Sequence, residues 1–248
     1  MRNLKVTLAY DGSDFGGWQV QPDAVTIQGT LASAIGRVIG EKVLPQGSGR
    51  TDAGVHALAQ VATFGTESPI PAENLGKALN DLLPAAIRVL SVAEVPAEFH
   101  ARKSARAKTY RYRMYREAIC PPFLARYVWH YPYPLDEAAM QQAAGLIVGE
   151  NDFTSFAAVD PERGEEIGSN VRQVFASNWE RSGDELIFTV RGSGFLHHMV
   201  RNLVGTFVLV GKGTLQPDAI AKIIAARKRS SAGATAPASG LCLVNVEY

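Results

Sequence analysis

The chain has 248 residues, 46% apolar and 20% charged, which suffices to bury one large core or two ordinary ones and excludes a disordered chain. Its 25 Lys and Arg against 24 Asp and Glu leave a net charge of +1, so the sum alone points to no polyanionic or polycationic partner. Two cysteines, Cys120 and Cys242, with no CxxC pair argue against a disulfide framework or structural zinc, and no apolar run reaches membrane-span length, since Phe207-Val208-Leu209-Val210 stops at Gly211-Lys212-Gly213.

The first residues read directly as a strand, without a secretory core or transit-peptide composition, so a reducing cytoplasm is expected. In that strand Leu4, Val6, Leu8 and Tyr10 alternate with Lys5, Thr7 and Ala9. Thr26 then stands as a cap for a helix with Ile27, Leu31, Ala34, Ile35 and Val38 on one stripe. Ala57 to Phe64 alternates as a second strand. Pro71 to Leu83 has helical spacing through Leu75, Leu79 and Leu82 and ends at Pro84, and Ile87 to Val95 is another strand.

The second half follows a similar order without a detectable sequence repeat. Thr109 to Tyr115 is a strand with Tyr110, Tyr112 and Met114 on one face and Arg111 and Arg113 on the other. Asp136 caps a helix running to Leu146 and Ile147. Val171 to Glu180 and Leu186 to Arg191 form a hairpin about Arg181-Ser182-Gly183-Asp184. Helices over about His197 to Val210 and Asp218 to Arg229 follow, and Leu241 to Glu247 closes with a strand. Strands paired by turns, with helices between the pairs, predict an α+β architecture rather than a doubly wound parallel sheet.

The charge is unevenly laid out. Arg102, Lys103, Arg106, Lys108, Arg111, Arg113 and Arg116 follow one another with no acid between them. Such a cluster suits a phosphate backbone; a solvated strand face is the plainer alternative.

The stretch Gly47-Ser48-Gly49-Arg50-Thr51-Asp52-Ala53-Gly54-Val55-His56 is the strongest candidate site. Its glycines permit tight turns and close backbone approach to a ligand. A loop that only turned would not also need Arg50, Asp52 and His56. It has no Gly-Lys-Ser/Thr and no evident following helix, which excludes a Walker A loop, and no Ser-His-Asp set accompanies it. A lone Asp in such a loop can equally be a turn residue bonding its own backbone. The functional reading gains from Arg201, set among Met199, Val200, Leu203, Val204, Phe207 and Val208 in a helix apolar nearly all round. An arginine there cannot shed its charge and needs an anion or carbonyl oxygens. Asp52 fits as its counter-charge, and so do Asp11, Asp14 and Asp152.

Tyr110 and Tyr112 read either as core residues or as a face on which an unstacked base could pack. His197-His198 lacks the spacing of a metal-binding helix, so hydrogen-bonding or capping roles are expected, and Gly192-Ser193-Gly194 is too short a motif to specify an anion site.

Taken together, Gly49-Arg50-Thr51-Asp52-Ala53-Gly54-Val55-His56, Tyr10-Asp11-Gly12 with Gly17-Trp18-Gln19, Thr26-Ile27-Gln28-Gly29, Phe99-His100-Ala101-Arg102, Lys108-Thr109-Tyr110-Arg111-Tyr112, Asp152-Phe153-Thr154-Ser155-Phe156 and Phe195-Leu196-His197-His198-Met199-Val200-Arg201-Asn202 resemble, in this order, the tRNA pseudouridine synthase A family. The resemblance implies an isomerase that converts uridine to pseudouridine at positions 38, 39 and 40 of the tRNA anticodon arm. By position, it makes Asp52 the catalytic aspartate, Tyr110 the active-site tyrosine, Arg201 the basic residue pairing with the aspartate, and Arg50 the arginine that helps displace the target base. It also implies no metal or organic cofactor, a homodimer whose tRNA cleft draws on both subunits, and two antiparallel-sheet α/β domains with a cleft between them. Those domains are expected at 1–104, with the Asp52 loop, and 105–248, with Tyr110 and Arg201. The chain departs from the family pattern at Ala59, Thr63, Ala86 and Asn151, none of which is among these four residues. A non-catalytic RNA binder would leave the Asp52 loop and Arg201 unexplained, and a small-molecule acid–base enzyme would leave the cationic cluster idle.

Overall fold

The computed structural model describes residues 1–159 and 169–248. In chain order the elements are β1 (Arg2–Tyr10), α1 (Ile27–Ile39), β2 (Gln46–Gly47), β3 (His56–Thr66), α2 (Ala72–Leu82), β4 (Ile87–Val95), β5 (Ala107–Tyr115), α3 (Pro122–Ala125), β6 (Trp129–His130), α4 (Glu137–Gly145), β7 (Gly149–Asp152), β8 (Val171–Ser182), β9 (Glu185–Gly192), α5 (Met199–Gly211), α6 (Ala219–Ala226) and β10 (Leu241–Glu247). They fall into two compact units, one formed by Met1–Arg106 with Cys242–Tyr248 and the other by Ala107–Leu241. Among the described residues no helix is long and apolar enough to cross a membrane.

In the first unit β1 is central to an antiparallel set, paired with β3 on one side and β4 on the other. Its alternating pattern is borne out, with Leu4, Val6 and Leu8 fully enclosed. Thr26 caps α1 as expected, its hydroxyl oxygen accepting from the Gly29 amide at 3.3 Å. Gly40 ends that helix in the left-handed region at φ 76, the usual solution for a C-terminal glycine. The expected alternation over Ala57 to Phe64 is not what the structure shows, because β3 is buried along most of its length. β1 runs along one edge of it, while β2 and the parallel strand β10 share the other edge. A strand covered on several sides has no solvent face on which polar residues would alternate. The carboxy-terminal strand thus completes the amino-terminal unit, and the Tyr248 hydroxyl ties its end to the Ala101 carbonyl at 2.9 Å.

In the second unit β5, β9, β8 and β7 pair antiparallel in that order, with short β6 parallel to β5. The hairpin is tighter than its sequence suggests. Both strands extend inward, leaving Gly183 and Asp184 as the turn, with Gly183 at φ 56. Asp136 caps α4 through its carboxylate, which accepts the Ala139 amide at 2.9 Å. The core holds Tyr112, Met114, Leu186, Phe188, Val190, Trp179 and Phe207, with the Phe188 and Phe207 rings at 5.3 Å. α5 is buried on nearly every side, as its composition predicts.

Two members of the cationic run are engaged within the fold. Arg113 is held by Glu185 through two contacts at 2.7 and 2.6 Å, and Arg116 has only 7% of its side chain exposed, its guanidinium donating to the carbonyls of Tyr131 and Tyr133. Arg102, Lys103, Arg106 and Arg111 remain exposed.

Candidate active site

The Asp52 loop is anchored from several directions within the first unit. β2 delivers it, paired to β3 through Gln46↔Thr63 and Gly47↔Ala62, and the Ser48 amide extends that pairing to the Val61 carbonyl at 2.7 Å. The Trp18 ring lies over Gly47, where a Cβ would come within 2.6 Å of the indole. A Cβ on Gly17, at φ 89, would come equally close to the Thr51 carbonyl oxygen, and the Trp18 amide donates to that carbonyl at 3.0 Å. Gly12 packs so tightly on Val55 that a side chain would overlap the Val55 carbonyl. Asp52 then starts a turn, its carbonyl accepting the Val55 amide at 3.1 Å, and Gly54 at φ 79 turns the chain into β3.

His56, buried at the start of β3, accepts the Gly12 amide on Nδ1 at 3.1 Å, and the same atom lies 3.2 Å from an Asp11 carboxylate oxygen. Asp11 also takes both the amide and the hydroxyl of Ser13, at 2.9 and 2.6 Å. His56 is therefore part of the loop's frame. Arg50 is exposed at the top of the loop, its Nε donating to Gln19 Oε1 at 3.4 Å, and Asp52 is half-buried.

Three residues to which the sequence reading gave no role in the site, Tyr10, Thr51 and Gln60, carry much of this frame. The buried Tyr10 hydroxyl meets Thr51 Oγ1 at 2.8 Å, and Gln60 reaches both the Tyr10 hydroxyl and the Gly49 carbonyl. Burial pushes the Tyr10 phenol well above its ordinary range, so it stays protonated. Gln60 was open to discovery as a lone amide inside the apolar run Ala57 to Phe64.

Tyr110 and Arg201 belong to the second unit. Tyr110 is buried on β5 opposite Val190, its ring meeting Phe195 edge-on at 5.1 Å. Tyr112, two residues on, is a core residue: it is fully enclosed, and its hydroxyl donates to the Pro237 carbonyl at 2.8 Å. Of the two tyrosines read as a possible stacking face, only Tyr110 is left for that role.

Arg201 lies in the first turn of α5 and is half-buried, whereas the sequence pattern suggests mid-helix enclosure. The difference arises because α5 begins only at Met199, after His198 takes a left-handed conformation at φ 58. His198 thus caps by backbone geometry, while His197 Nδ1 bonds the Val159 carbonyl at 3.0 Å.

A segment running from Ala232 to Ala236 is strapped across α5. Arg201 Nε donates to the Ala236 carbonyl at 2.8 Å, and Gly233 donates to Thr206 Oγ1 at 2.9 Å. Gly205 is obligatory there, since a Cβ would overlap the Ala234 carbonyl. Buried Asn202 accepts from Arg229 at 2.9 Å and Thr235 at 2.7 Å while donating to Phe156 at 2.7 Å. Arg229 also donates to the Gly233 carbonyl at 2.9 Å, and Arg227 pairs with Asp152 at 3.1 Å. The basic triplet Arg227-Lys228-Arg229 thus has two members tied to the fold. Asp152, one of the sequence's candidates for the Arg201 partner, is held by Arg227 and by Thr154, whose hydrogen bonds lower its pKa.

Similarity to known proteins agrees with the motifs. A sequence model of the family described as tRNA pseudouridine synthase matches residues 7–102 and 143–248. A protein from Solibacter usitatus named tRNA pseudouridine synthase A is 55% identical over 248 residues, covering 100% of each chain. Proteins of the same name from Moorella thermoacetica and Brevibacillus brevis are 49% identical over 99% of each chain and 48% identical over 100% of each. The Asp52 loop, the Tyr110 strand and the Arg201 helix all lie in the full-length alignment with these relatives, and the chain belongs to the tRNA pseudouridine synthase family, a family of isomerases.

Proposed function

We propose that this protein isomerises uridine to pseudouridine at positions 38, 39 and 40 in the anticodon stem and loop of tRNA, with Asp52 as the catalytic carboxylate. The observation that carries this reading is the anchoring of the Asp52 loop: glycines at 12, 17 and 54, a buried Thr51 and the Trp18 amide fix the backbone on both sides of one half-buried carboxylate. Such rigidity is what a group acting on a defined atom requires.

The reaction breaks the bond from N1 of uracil to C1′ of the ribose, turns the base and joins C5 to C1′; C5 loses its proton and N1 takes one up. A carboxylate promotes it either by attacking C1′ or by taking a proton from the sugar. In both routes it must be ionised and beside the ribose. The family resemblance makes Arg201 the basic partner of that carboxylate. The uridine must first leave its stack, at about a few kcal/mol. Arg50, exposed at the loop's tip, fills the space the base vacates, and Tyr110 stacks on the flipped base and orients the proton transfer at C5. The chain works in the cytoplasm as a homodimer, with the carboxylate and Arg50 on the amino-terminal domain and Tyr110 and Arg201 on the carboxy-terminal one.

The test is tritium release from a tRNA transcript carrying 5-tritiated uridine, with Asp52→Asn as the probe. That variant binds the transcript like the parent and releases no tritium. Release at the parent's rate overturns the assignment. A non-catalytic RNA binder would release none even with Asp52 in place.

A further inference from the structure

Gln60 is a fully buried amide in the middle of β3, at a position where the neighbouring residues are apolar. A buried side-chain amide without partners would be costly, and this one uses all of its hydrogen-bonding capacity. Its Oε1 accepts the Ser48 hydroxyl at 2.7 Å and the Val61 amide at 3.2 Å. Its Nε2 donates to the Gly49 carbonyl at 2.9 Å and to the Tyr10 hydroxyl at 3.4 Å. The orientation of the amide follows from two backbone groups: the Val61 N–H can only donate, and the Gly49 carbonyl can only accept. The Tyr10 hydroxyl in turn shares a hydrogen bond with Thr51 Oγ1, 2.8 Å away, in which either hydroxyl can donate.

We propose that Gln60 is the positioning residue for Asp52, fixing both ends of the segment 48–51 from beneath so that the chain enters residue 52 in one direction. The inference rests on the reading of Asp52 as the reacting carboxylate. Ser48 and Gly49 lie in a stretch where glycines at 47 and 49 would otherwise admit many backbone conformations. Gln60 removes that freedom at the near end by direct bonds. At the far end it acts through Tyr10 on the Thr51 side chain, while the Thr51 carbonyl is held by Trp18. Position 60 requires two donors and two acceptors in one plane, which an apolar core residue cannot supply.

The test compares Gln60→Leu and Gln60→Glu with the parent in steady-state tritium release from the 5-tritiated transcript, with Asp52→Asn alongside. A displaced carboxylate slows chemistry and leaves RNA contacts intact. In Gln60→Leu, kcat therefore falls by about 10-fold or more while KM stays within about 3-fold. In Gln60→Glu the new side chain keeps the shape of the amide but has a hydrogen to donate only when protonated, and burial raises its pKa. Its kcat relative to the parent therefore climbs as pH is lowered, as the carboxyl regains a donor for the Gly49 carbonyl, whereas the Gln60→Leu ratio stays flat. If Gln60→Leu does not accumulate as folded protein, the pH course of Gln60→Glu decides alone. A kcat within about 2-fold of the parent in Gln60→Leu, or a flat ratio in Gln60→Glu, overturns the proposal. Either result with Asp52→Asn inactive removes only the role of Gln60. Turnover by Asp52→Asn removes the reading of Asp52 and this inference with it.

Discussion

Arg201 and Ala236 hold each other in both directions: the arginine Nε donates to the Ala236 carbonyl at 2.8 Å, and the Ala236 amide donates to the Arg201 carbonyl at 3.1 Å. The Ala232–Ala236 strap therefore fixes the first turn of α5 by main chain and side chain together, and Arg201 has one carbonyl contact that does not depend on any acid.

Replacing Arg201 by Met removes this bond and the charge. The expected result is loss of tritium release together with a drop in unfolding free energy of about 1–2 kcal/mol, because a half-buried guanidinium loses fewer contacts than an enclosed one. Urea denaturation of the variant checks the second part, and unchanged stability would show that the strap does not need the arginine.

Gly205→Ala places a Cβ against the Ala234 carbonyl, so the strap must lift from α5. Overpacking of this kind costs about 1–3 kcal/mol. The same denaturation measurement applies, and a parent-like midpoint would mean that the strap moves freely.

Tyr110→Phe and Tyr112→Phe should part company. Tyr112→Phe leaves the Pro237 carbonyl short of a donor, costing about 1 kcal/mol of stability with kcat unchanged. Tyr110→Phe lowers kcat by about 100-fold, the scale of a lost acid–base group. Equal kcat losses in the two variants would contradict the division of roles.

Asp152 gives a pH-dependent prediction. Hydrogen bonds from Thr154 and the nearby Arg227 lower its pKa in the native state, so the folded chain holds its proton less tightly than the unfolded one. Its contribution to stability is complete above the unfolded value of about 3.9 and fades as pH falls through the lower native value. Asp152→Asn should therefore lower the unfolding free energy by about 1 kcal/mol at neutral pH and have little effect near pH 2. A deficit that persists unchanged in acid would assign the effect to packing instead of charge.

Much of the fold was legible because its signals are local. The Thr26 and Asp136 caps, the α1 stripe and the alternation in β1 each depend on residues a few positions apart, and all are present as read. The short strands β2, β6 and β7 were not legible, since two to four residues carry no periodicity of their own and exist only because a longer neighbour pairs with them. The start of α5 was misplaced for a similar reason: His198 ends the preceding turn through a left-handed backbone that its residue type does not announce.

For the site, the sequence alone singled out the candidates: Arg50 and Asp52 in a glycine-rich loop, Tyr110 in a strand, and Arg201 in an apolar helix. It could not determine what holds them. That Gln60 grips Gly49, that Tyr10 grips Thr51 and that Asn202 and Arg229 bind the strap over α5 are decisions of the tertiary structure. Helical and strand periodicity are written in neighbours, whereas a buried polar group finds its partners wherever the fold delivers them, tens of residues away along the chain.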